Sequence, residues 1–174
     1  MNANTKSTLN PTDAAYLAGL LDGDGSIFVQ IVPKPNYNCF FGLQFTINFT
    51  QSTKRKHFML AIEKLIGSKA SFRDRKDGNC EIAIYGWQSV AWFLHEVHSY
   101  LKFKKPQADL VLKIVEKLPS TTTSYKNFLE VCALVDKLTE YNDSKKRKYT
   151  SKYIVEYYKE RGIVIDEIAP VETF

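Results

Sequence analysis

Hydrophobic and polar positions alternate most clearly over residues 40–51. The odd-numbered positions are apolar, whereas the even-numbered positions from 42 onward carry glycine, glutamine, threonine or asparagine. The apolar set is Phe41, Leu43, Phe45, Ile47 and Phe49, and the other set is Gly42, Gln44, Thr46, Asn48 and Thr50. A period of two places one set in a core and the other on the opposite face of a sheet. The pattern therefore predicts a strand with a polar, nearly uncharged face.

Similar patterns predict three more strands and several helices. Residues 26–32 form a strand before a proline-rich loop, and residues 70–75 and 80–85 form a hairpin around Asp77-Gly78. Apolar residues at helical spacing predict helices over 11–21, 53–66, 88–101, 106–118, 125–141 and 151–161. This α-β-β-α-β-β-α order, followed by further helices, predicts a mixed α/β chain of the α+β type with helices on one face of the sheet.

The first helix and its end carry the candidate chemistry. The stretch reads Leu17-Ala18-Gly19-Leu20-Leu21-Asp22-Gly23-Asp24-Gly25-Ser26, and the helix is expected to end near Leu21. Small residues lie four apart at Ala14 and Ala18, and at Ala15, Gly19 and Gly23, a spacing that lets another helix approach closely. The two carboxylates at the break suit a hard cation. The stretch thus predicts a close helix contact that ends in an acidic site.

Other chemistries fit this chain less well. A calcium-binding EF-hand loop starting at Asp22 would need glycine at position 27 and glutamate at position 33, where the chain has Ile27 and Pro33. His95 and His98 lie three apart on a helix, without cysteines or carboxylates at the spacing of a zinc site. The two aspartates could also be simple turn-forming Asp-Gly pairs at a helix end, and the residues alone leave that alternative open.

Composition and charge indicate the general class of the protein, its compartment and the charge of a candidate partner. The 174 residues predict one domain, 44% of them are hydrophobic, and no apolar run reaches the roughly 18 residues of a membrane span. The N-terminus lacks the features of a signal or transit peptide, so we expect synthesis in the compartment of use. Three widely spaced cysteines fit a reducing compartment. The net charge of +5 points weakly to a polyanion, although a basic surface without such a partner is about as common.

Four groups of polar or basic residues could contact nucleic acid. The Gln, Thr and Asn side chains of residues 42–50 match the donors and acceptors of base edges, and a major groove admits a two-stranded β-ribbon. Arg73 and Arg75 share a face of the predicted hairpin, where arginines suit guanine and phosphate. Lys54, Arg55 and Lys56 open a helix, and residues 145–148 form a basic run. A solvated sheet face and a solvated charge run remain the alternatives.

The stretch at residues 17–25 closely resembles the signature of LAGLIDADG homing endonucleases. Further segments match the family in order over about residues 10–155. They are Phe49-Thr50-Gln51, Arg73-Asp74-Arg75, Leu101-Lys102-Phe103-Lys104, Gln107-Ala108, residues 110–114, residues 128–132 and Asn142-Asp143-Ser144-Lys145. One motif per chain is similar to the homodimeric branch that algal organelle introns encode, so the resemblance implies a chloroplast or a mitochondrion as the compartment.

The resemblance implies an αββαββα fold in which two copies pack their first helices together at Ala15, Ala18, Gly19 and Asp22. It implies that Asp24 and the Gly23 carbonyl bind metal, while Gln51, Arg55 and Lys104 surround the scissile phosphate. Gln51 has the parity of the core face, so a bend or bulge is expected there. The implied cofactor is Mg²⁺, about two or three ions per dimer, with Mn²⁺ as a substitute.

The implied activity is hydrolysis of both strands of a long, pseudo-palindromic double-stranded DNA target, which initiates intron homing. Base or near-base contacts would come from Gln30, Lys34, Asn36, Tyr37, Gln44, Thr46, Asn48, Arg73 and Arg75, and phosphate contacts from Lys145 and Lys148. A homodimer and DNA are the expected partners, without a membrane or a small-molecule substrate. An RNA maturase or a DNA-binding regulator on the same fold is the alternative, and residues 162–174 have no assigned role.

Overall fold

The computed structural model describes residues 8–122, 124–141 and 147–165. Six α-helices and four strands fall in these ranges, with short 3-10 turns between several of them. The elements are α1 (Pro11–Asp24), β1 (Gly25–Pro33), β2 (Phe41–Ser52), α2 (Lys56–Ile66), β3 (Ala70–Asp74), β4 (Asn79–Tyr85), α3 (Trp87–Val97), α4 (Lys105–Thr121), α5 (Tyr125–Lys137) and α6 (Ser151–Glu160). The predicted α-β-β-α-β-β-α order is confirmed. Within the described ranges, no helix is both long and apolar enough to cross a membrane.

The four strands form one antiparallel sheet in the order β1-β2-β4-β3. The predicted alternation is visible in the burial of β2, where Phe45, Ile47 and Phe49 are buried and the residues between them are more exposed. The central strand β4 does not alternate in this way, since all residues from Cys80 to Ile84 are buried. Period-two patterning therefore gives β2 one core face, whereas β4 is buried on both faces.

Contacts within the chain group it into two compact units. The first unit comprises Met1–Phe28 and Phe45–Ala108, and the second comprises Val29–Gln44 and Asp109–Phe174. In the first unit, α2 packs on β3 and β4, and α1 packs on α3 and the 3-10 turn at His98–Tyr100. In the second unit, α5 packs on α6. The predicted description of residues 1–174 as one domain stays a proposal.

The first helix is longer than its sequence predicts. Asn10 caps its start, since the Asn10 side chain accepts a hydrogen bond from the Asp13 amide at 2.9 Å. The helix then continues through Gly23 to Asp24, three residues past the expected end at Leu21. Gly25 is the stop: a Cβ there would lie 2.8 Å from the Leu21 Cα, so only glycine fits this close approach. Both aspartates consequently belong to the last helical turn.

Candidate active site

The last turn of α1 connects Asp24 to two further predicted site residues. Gln51, near the end of β2, donates from Nε2 to Asp24 Oδ2 at 2.8 Å. Arg55, four residues later, donates from Nη1 to Gln51 Oε1 at 2.6 Å. The amide of Gln51 therefore links a guanidinium to a carboxylate, with each of its two polar atoms occupied. Asp24 and Arg55 are exposed, so a substrate can reach both.

Gln51 reaches Asp24 without any irregularity in the sheet. Strand pairing between β2 and β4 is continuous from Thr46 opposite Tyr85 to Ser52 opposite Asn79, with Gln51 opposite Cys80. The expected bend or bulge at Gln51 is therefore wrong. Gln51 keeps the parity of the buried residues Phe49 and Ile47, and its side chain meets the end of α1 on that side of the strand. The expectation failed because it placed the catalytic end on the polar face.

Asp22 has a structural role that is distinct from that of Asp24. Its carboxylate accepts three backbone hydrogen bonds, from the amides of Lys102 at 2.7 Å, Phe103 at 3.2 Å and Lys104 at 2.8 Å. Partial burial would raise the pKa of Asp22, but the backbone donors at Lys104, Lys102 and Phe103 outweigh it and the net pKa is lowered. Asp22 therefore stays ionised and fastens the segment before α4 to the end of α1.

Contacts with Asp22 also hold the Lys104 side chain in place. The Lys104 ammonium donates to the Asp22 carbonyl oxygen at 2.7 Å, one of the carbonyls that the end of a helix leaves without an intrahelical partner. Partial burial lowers the pKa of Lys104, while the charges of Asp22 and Asp24 oppose that shift without cancelling it. A positive charge is thus held at the carboxyl end of α1, where the helix dipole favours it.

The donor set at this end fits a hard cation only in part. Among the residues that the structure describes, no group of three or more His, Cys, Asp or Glu side chains could hold a metal ion. Asp24 supplies one carboxylate, and Gly23 lies in the last turn, whose carbonyls lack helical partners. Mg²⁺ commonly takes one or two protein carboxylates and completes its shell with water and substrate phosphates. The site therefore suits such an ion when further oxygen ligands come from substrate or a second copy.

The small residues Ala15, Gly19 and Gly23 form an exposed row on α1. A Cβ at Gly19 or Gly23 would meet nothing within 4 Å in this chain, so the open space lies outside it. Ala18 is 0% exposed because its methyl group packs within the chain, and its predicted contact with a second copy stays a prediction. Of the two rows of small residues, the row of Ala14 and Ala18 faces inward.

One exposed residue near this surface was missed by the sequence analysis. Phe103 is 79% exposed, although it lies between two lysines and its ring is 5.2 Å from the Lys104 ammonium. The sequence predicts a basic connector at Lys102-Phe103-Lys104-Lys105, and part of it matches the family, but neither interpretation assigns Phe103 a role. An aromatic residue flanked by cations in a connector is a signal that the pattern contained, because such a side chain has no helix or strand to bury it.

In the first unit, the predicted DNA contacts Arg73 and Arg75 surround a carboxylate. Glu81 is 4% exposed, accepts from Arg73 Nη2 at 2.8 Å, and lies 3.5 Å from Arg75 Nη1. Asn48 donates to the same carboxylate at 3.4 Å. Glu81 was missed, although it falls on the polar parity of β4. The arginines are exposed and oriented by a buried negative charge, while Thr46 lies opposite Tyr85 on the neighbouring strand.

In the second unit, the predicted contacts lie around the turn between β1 and β2. Gln30, Lys34, Asn36, Tyr37, Gln44 and Lys148 are all exposed. Gly42 makes room for two of them, since a Cβ there would lie 3.1 Å from Lys34 Cγ and 3.4 Å from Tyr37 Cε2. The predicted phosphate contact Lys145 lies outside the described residues. Arg147, from the same basic run, instead donates to the Val135 carbonyl at 2.8 Å.

Comparison with known families supports the sequence resemblance. The family described as LAGLIDADG endonuclease matches residues 17–135. The chain is 41% identical over 151 residues to DNA endonuclease I-CreI of Chlamydomonas reinhardtii, which covers 87% of this chain and 90% of that protein. It is 35% identical over 151 residues to DNA endonuclease I-CvuI of Chlorella vulgaris, covering 87% of this chain and 92% of that protein.

Solved structures show the same fold. The homing endonuclease I-CvuI in complex with the I-CreI target matches with a TM-score of 0.81 and 34% identity, over 90% of this chain and 100% of that chain. An archaeal intron-encoded homing endonuclease, I-Vdi141I complexed with DNA, matches with a TM-score of 0.75 over 88% of this chain and 98% of that chain. Its identity of 16% shows a shared fold alone.

Proposed function

Since the chain belongs to the LAGLIDADG endonuclease family, we propose that it is a site-specific homing endonuclease that hydrolyses both strands of a long double-stranded DNA target. The observation that carries the proposal is the linked array of Asp24, Gln51 and Arg55 at the exposed end of α1, beside the fixed Lys104. It lies inside the family match and combines one acid with two cations. That is the chemistry that hydrolysis of a phosphodiester requires.

We propose that Asp24 and the Gly23 carbonyl bind a divalent cation, with Mg²⁺ as the physiological ion. The relative I-CvuI was crystallised with the I-CreI target in the presence of Mg, where the DNA was not cleaved, and with its own target in the presence of Ca. A bound divalent ion supplies an activated water and neutralises charge on the reacting phosphate. The single carboxylate per chain is consistent with an ion that is shared between two copies and DNA.

The surrounding side chains have separate tasks. Arg55 and Lys104 provide positive charge for the phosphate as negative charge grows on its oxygens. Gln51 holds the Arg55 guanidinium and the Asp24 carboxylate at fixed positions through its two hydrogen bonds. Asp22 touches neither phosphate nor ion in this scheme and positions Lys104 through the backbone of residues 102–104.

We further propose a homodimer that joins through the exposed row Ala15, Gly19 and Gly23 of α1, with Phe103 nearby in the contact. Small side chains let two helices approach closely, which would bring the two Asp24 carboxylates together. A symmetric dimer reads two related half-sites, so the target should be pseudo-palindromic. Sizing at micromolar concentration tests this: a monomer there would contradict it.

The exposed polar residues of both units are the proposed DNA contacts. Arginines 73 and 75 suit guanine or phosphate, and the amide and hydroxyl side chains of β1 and β2 suit base edges. Because two similar proteins come from the algae Chlamydomonas and Chlorella, we propose an algal organelle, with the chloroplast first, as the compartment. The family resemblance to intron-encoded enzymes supports intron homing as the biological role.

Cleavage selection from a randomised or genomic DNA pool tests the activity. With Mg²⁺ the wild-type protein should enrich one long site, and EDTA should abolish cutting. Asp24→Asn should bind the selected site without cutting it, whereas the control Asp13→Asn, at the other end of the same helix, should cut normally. Equal cutting by Asp24→Asn would contradict the assigned role of this carboxylate. Splicing assistance without any DNA cutting would instead indicate a maturase.

A further inference from the structure

The turn between β1 and β2, residues 34–40, is folded on itself; we name it the recognition loop because Lys34, Asn36 and Tyr37 are exposed there. The Lys34 amide donates to the Phe40 carbonyl at 2.8 Å, and the Phe40 amide donates to the Tyr37 carbonyl at 2.8 Å. Phe40 has φ of 62°, in the left-handed region that a non-glycine residue adopts only when its surroundings hold it there.

A buried tyrosine from α6 supports this conformation. Tyr158 is 0% exposed, and its hydroxyl donates to the Cys39 carbonyl at 2.8 Å, next to the left-handed residue. Burial, with the neighbouring thiols of Cys39 and Cys132, raises the pKa of Tyr158, so the phenol keeps the proton it donates. The Cys39 thiol also donates to the Thr121 carbonyl at 3.3 Å. The loop is therefore tied to α6 and to the end of α4.

A cluster of aromatic rings extends the same contact. The ring of Tyr157 lies edge-on to Phe41 with centroids 4.9 Å apart, and 6.0 Å from Phe40. Tyr149 packs on Phe41 at 5.8 Å, and the Lys148 ammonium lies 5.2 Å from the ring of Tyr149. Such ring pairs contribute beyond their buried area and have preferred geometry. One cluster thus holds both the base of the recognition loop and the residue beside Lys148.

The start of α6 is anchored separately. Arg147 donates to the Val135 carbonyl at the end of α5, and the Ser151 amide donates to the Asp136 carboxylate at 2.8 Å. A cation at the carboxyl end of a helix is favourable. Because α6 is fixed to α5 at one end, its tyrosines offer a firm support rather than moving with the loop.

We propose that Tyr158 is a positioning residue for DNA recognition: through the Cys39 carbonyl it holds the recognition loop, in the free protein, in the shape that contacts DNA. Tyr157 assists through Phe40 and Phe41. The inference rests on the proposed nuclease function and deepens it. A loop that is ordered before binding avoids the entropy loss that ordering would otherwise subtract from affinity. The hydroxyl of Tyr158 consequently acts on substrate binding and not on the chemical step.

Tyr158→Phe tests this with little change of volume. Removing the hydroxyl leaves the buried Cys39 carbonyl without the hydrogen bond that Tyr158 donates, which is unfavourable. We expect KM for the selected DNA to rise about tenfold, equivalent to roughly 1.4 kcal/mol, with kcat unchanged at saturating DNA. The matched control is Tyr125→Phe, since Tyr125 packs against the Tyr158 ring at 4.9 Å but does not donate to Cys39. KM of the control should match wild type.

Two further readouts separate positioning from general loss of stability. The base positions at which Tyr158→Phe relaxes preference should be those relaxed by Asn36→Ala and differ from those relaxed by Arg73→Ala. Hydrogen exchange at the amides of Tyr37 and Phe40 should become faster in Tyr158→Phe and stay unchanged in Tyr125→Phe. Tyr157→Leu, which removes a ring and keeps the Tyr158 hydroxyl, should raise KM in the same direction.

The outcomes distinguish the two proposals. A wild-type protein that cuts no DNA overturns the nuclease function. A cutting wild type, with unchanged KM and base preference in Tyr158→Phe, overturns the positioning role alone. Unchanged exchange of the loop amides also overturns it, because the loop would then keep its shape without the hydroxyl. A lowered melting temperature with wild-type KM marks a structural role only and counts against the proposal.

Discussion

Replacing Asp22 with asparagine tests whether Asp22 and Asp24, at the end of α1, have different roles. In the wild type the Asp22 carboxylate accepts backbone hydrogen bonds at 2.7, 3.2 and 2.8 Å from three consecutive amides. Asparagine keeps one carbonyl oxygen and turns an NH₂ group toward donors, so at least one amide loses its acceptor. The charge that strengthens the remaining bonds is lost as well.

The magnitude follows from these contacts. Hydrogen bonds to a charged group contribute about 1.5–3 kcal/mol each, but Asp22 is partly exposed and water competes for the same donors. The loss of one charged bond and the weakening of the others give a destabilisation of about 2 kcal/mol. For a chain of this size that lowers the melting temperature by about 4–8 °C. The urea midpoint should fall by about 1 M.

The stabilisation that the Asp22 carboxylate provides should decrease as the pH falls. The pKa of Asp22 in the folded protein is lower than the reference value of 3.8, so the folded state prefers the ionised form. Its contribution is complete at pH values well above 3.8 and is lost as the pH falls through the lowered folded pKa. The stability difference between wild type and Asp22→Asn should therefore be full near neutral pH and shrink on acidification.

Urea unfolding of both proteins across this pH range is the assay, at one protein concentration because association shifts apparent stability. Asp24→Asn is the matched variant, since asparagine at that position still accepts the hydrogen bond from Gln51. It should unfold close to wild type but fail to cut, whereas Asp22→Asn should unfold earlier and still cut at low temperature. Equal stability of Asp22→Asn and wild type near neutral pH, or a difference that persists in acid, would refute the reasoning.

Two further predictions concern the hairpin and the helix stop. Arg73→Ala should relax base preference at one position per half-site and weaken binding, because the Glu81 carboxylate is left facing DNA. The double variant that also carries Glu81→Gln should regain affinity for DNA but not base preference. Cleavage of target libraries with single base substitutions measures both. A uniform loss over all targets would make Arg73 a phosphate contact. Gly25→Ala should destabilise the fold by about 1–3 kcal/mol in thermal melting, since the Cβ would lie 2.8 Å from the Leu21 Cα. A melting temperature equal to that of wild type would contradict this.

The order of elements and the core face of β2 could be predicted because periodicity reports on burial, whereas β4 is buried on both faces and its burial does not follow the period. The length of α1 could not, because two glycines within three residues normally indicate a break, and here the helix ends only where Gly25 meets the Leu21 backbone. Helix spacing also could not say which row of small residues faces outward. The row of Ala14 and Ala18 is offset by one residue from the row of Ala15 and Gly19, and only the packing of the folded chain places the first row inside.

The candidate site also contains residues that the sequence predicts and residues that it does not. The family motif identified Asp24, Gln51, Arg55 and Lys104, but the links between them depend on where β2 ends relative to α1. Glu81 and Tyr158 gave no distinctive local pattern, since a glutamate on a strand and a tyrosine on an amphipathic helix are ordinary. Their importance comes from partners 6 to 119 residues away along the chain, and contacts of that kind are not encoded in local sequence.

The last turn of α1 has an evolutionary consequence. Asp22 secures the fold and Asp24 is assigned the chemistry, although only Gly23 separates them. A single substitution at Asp24 would therefore silence cutting in a protein that still folds and still grips its target, while a change at Asp22 would weaken the scaffold itself. Descendants freed from selection for cleavage should lose the second acid before the first, and those that keep Asp22 alone would be ready-made repressors or splicing factors.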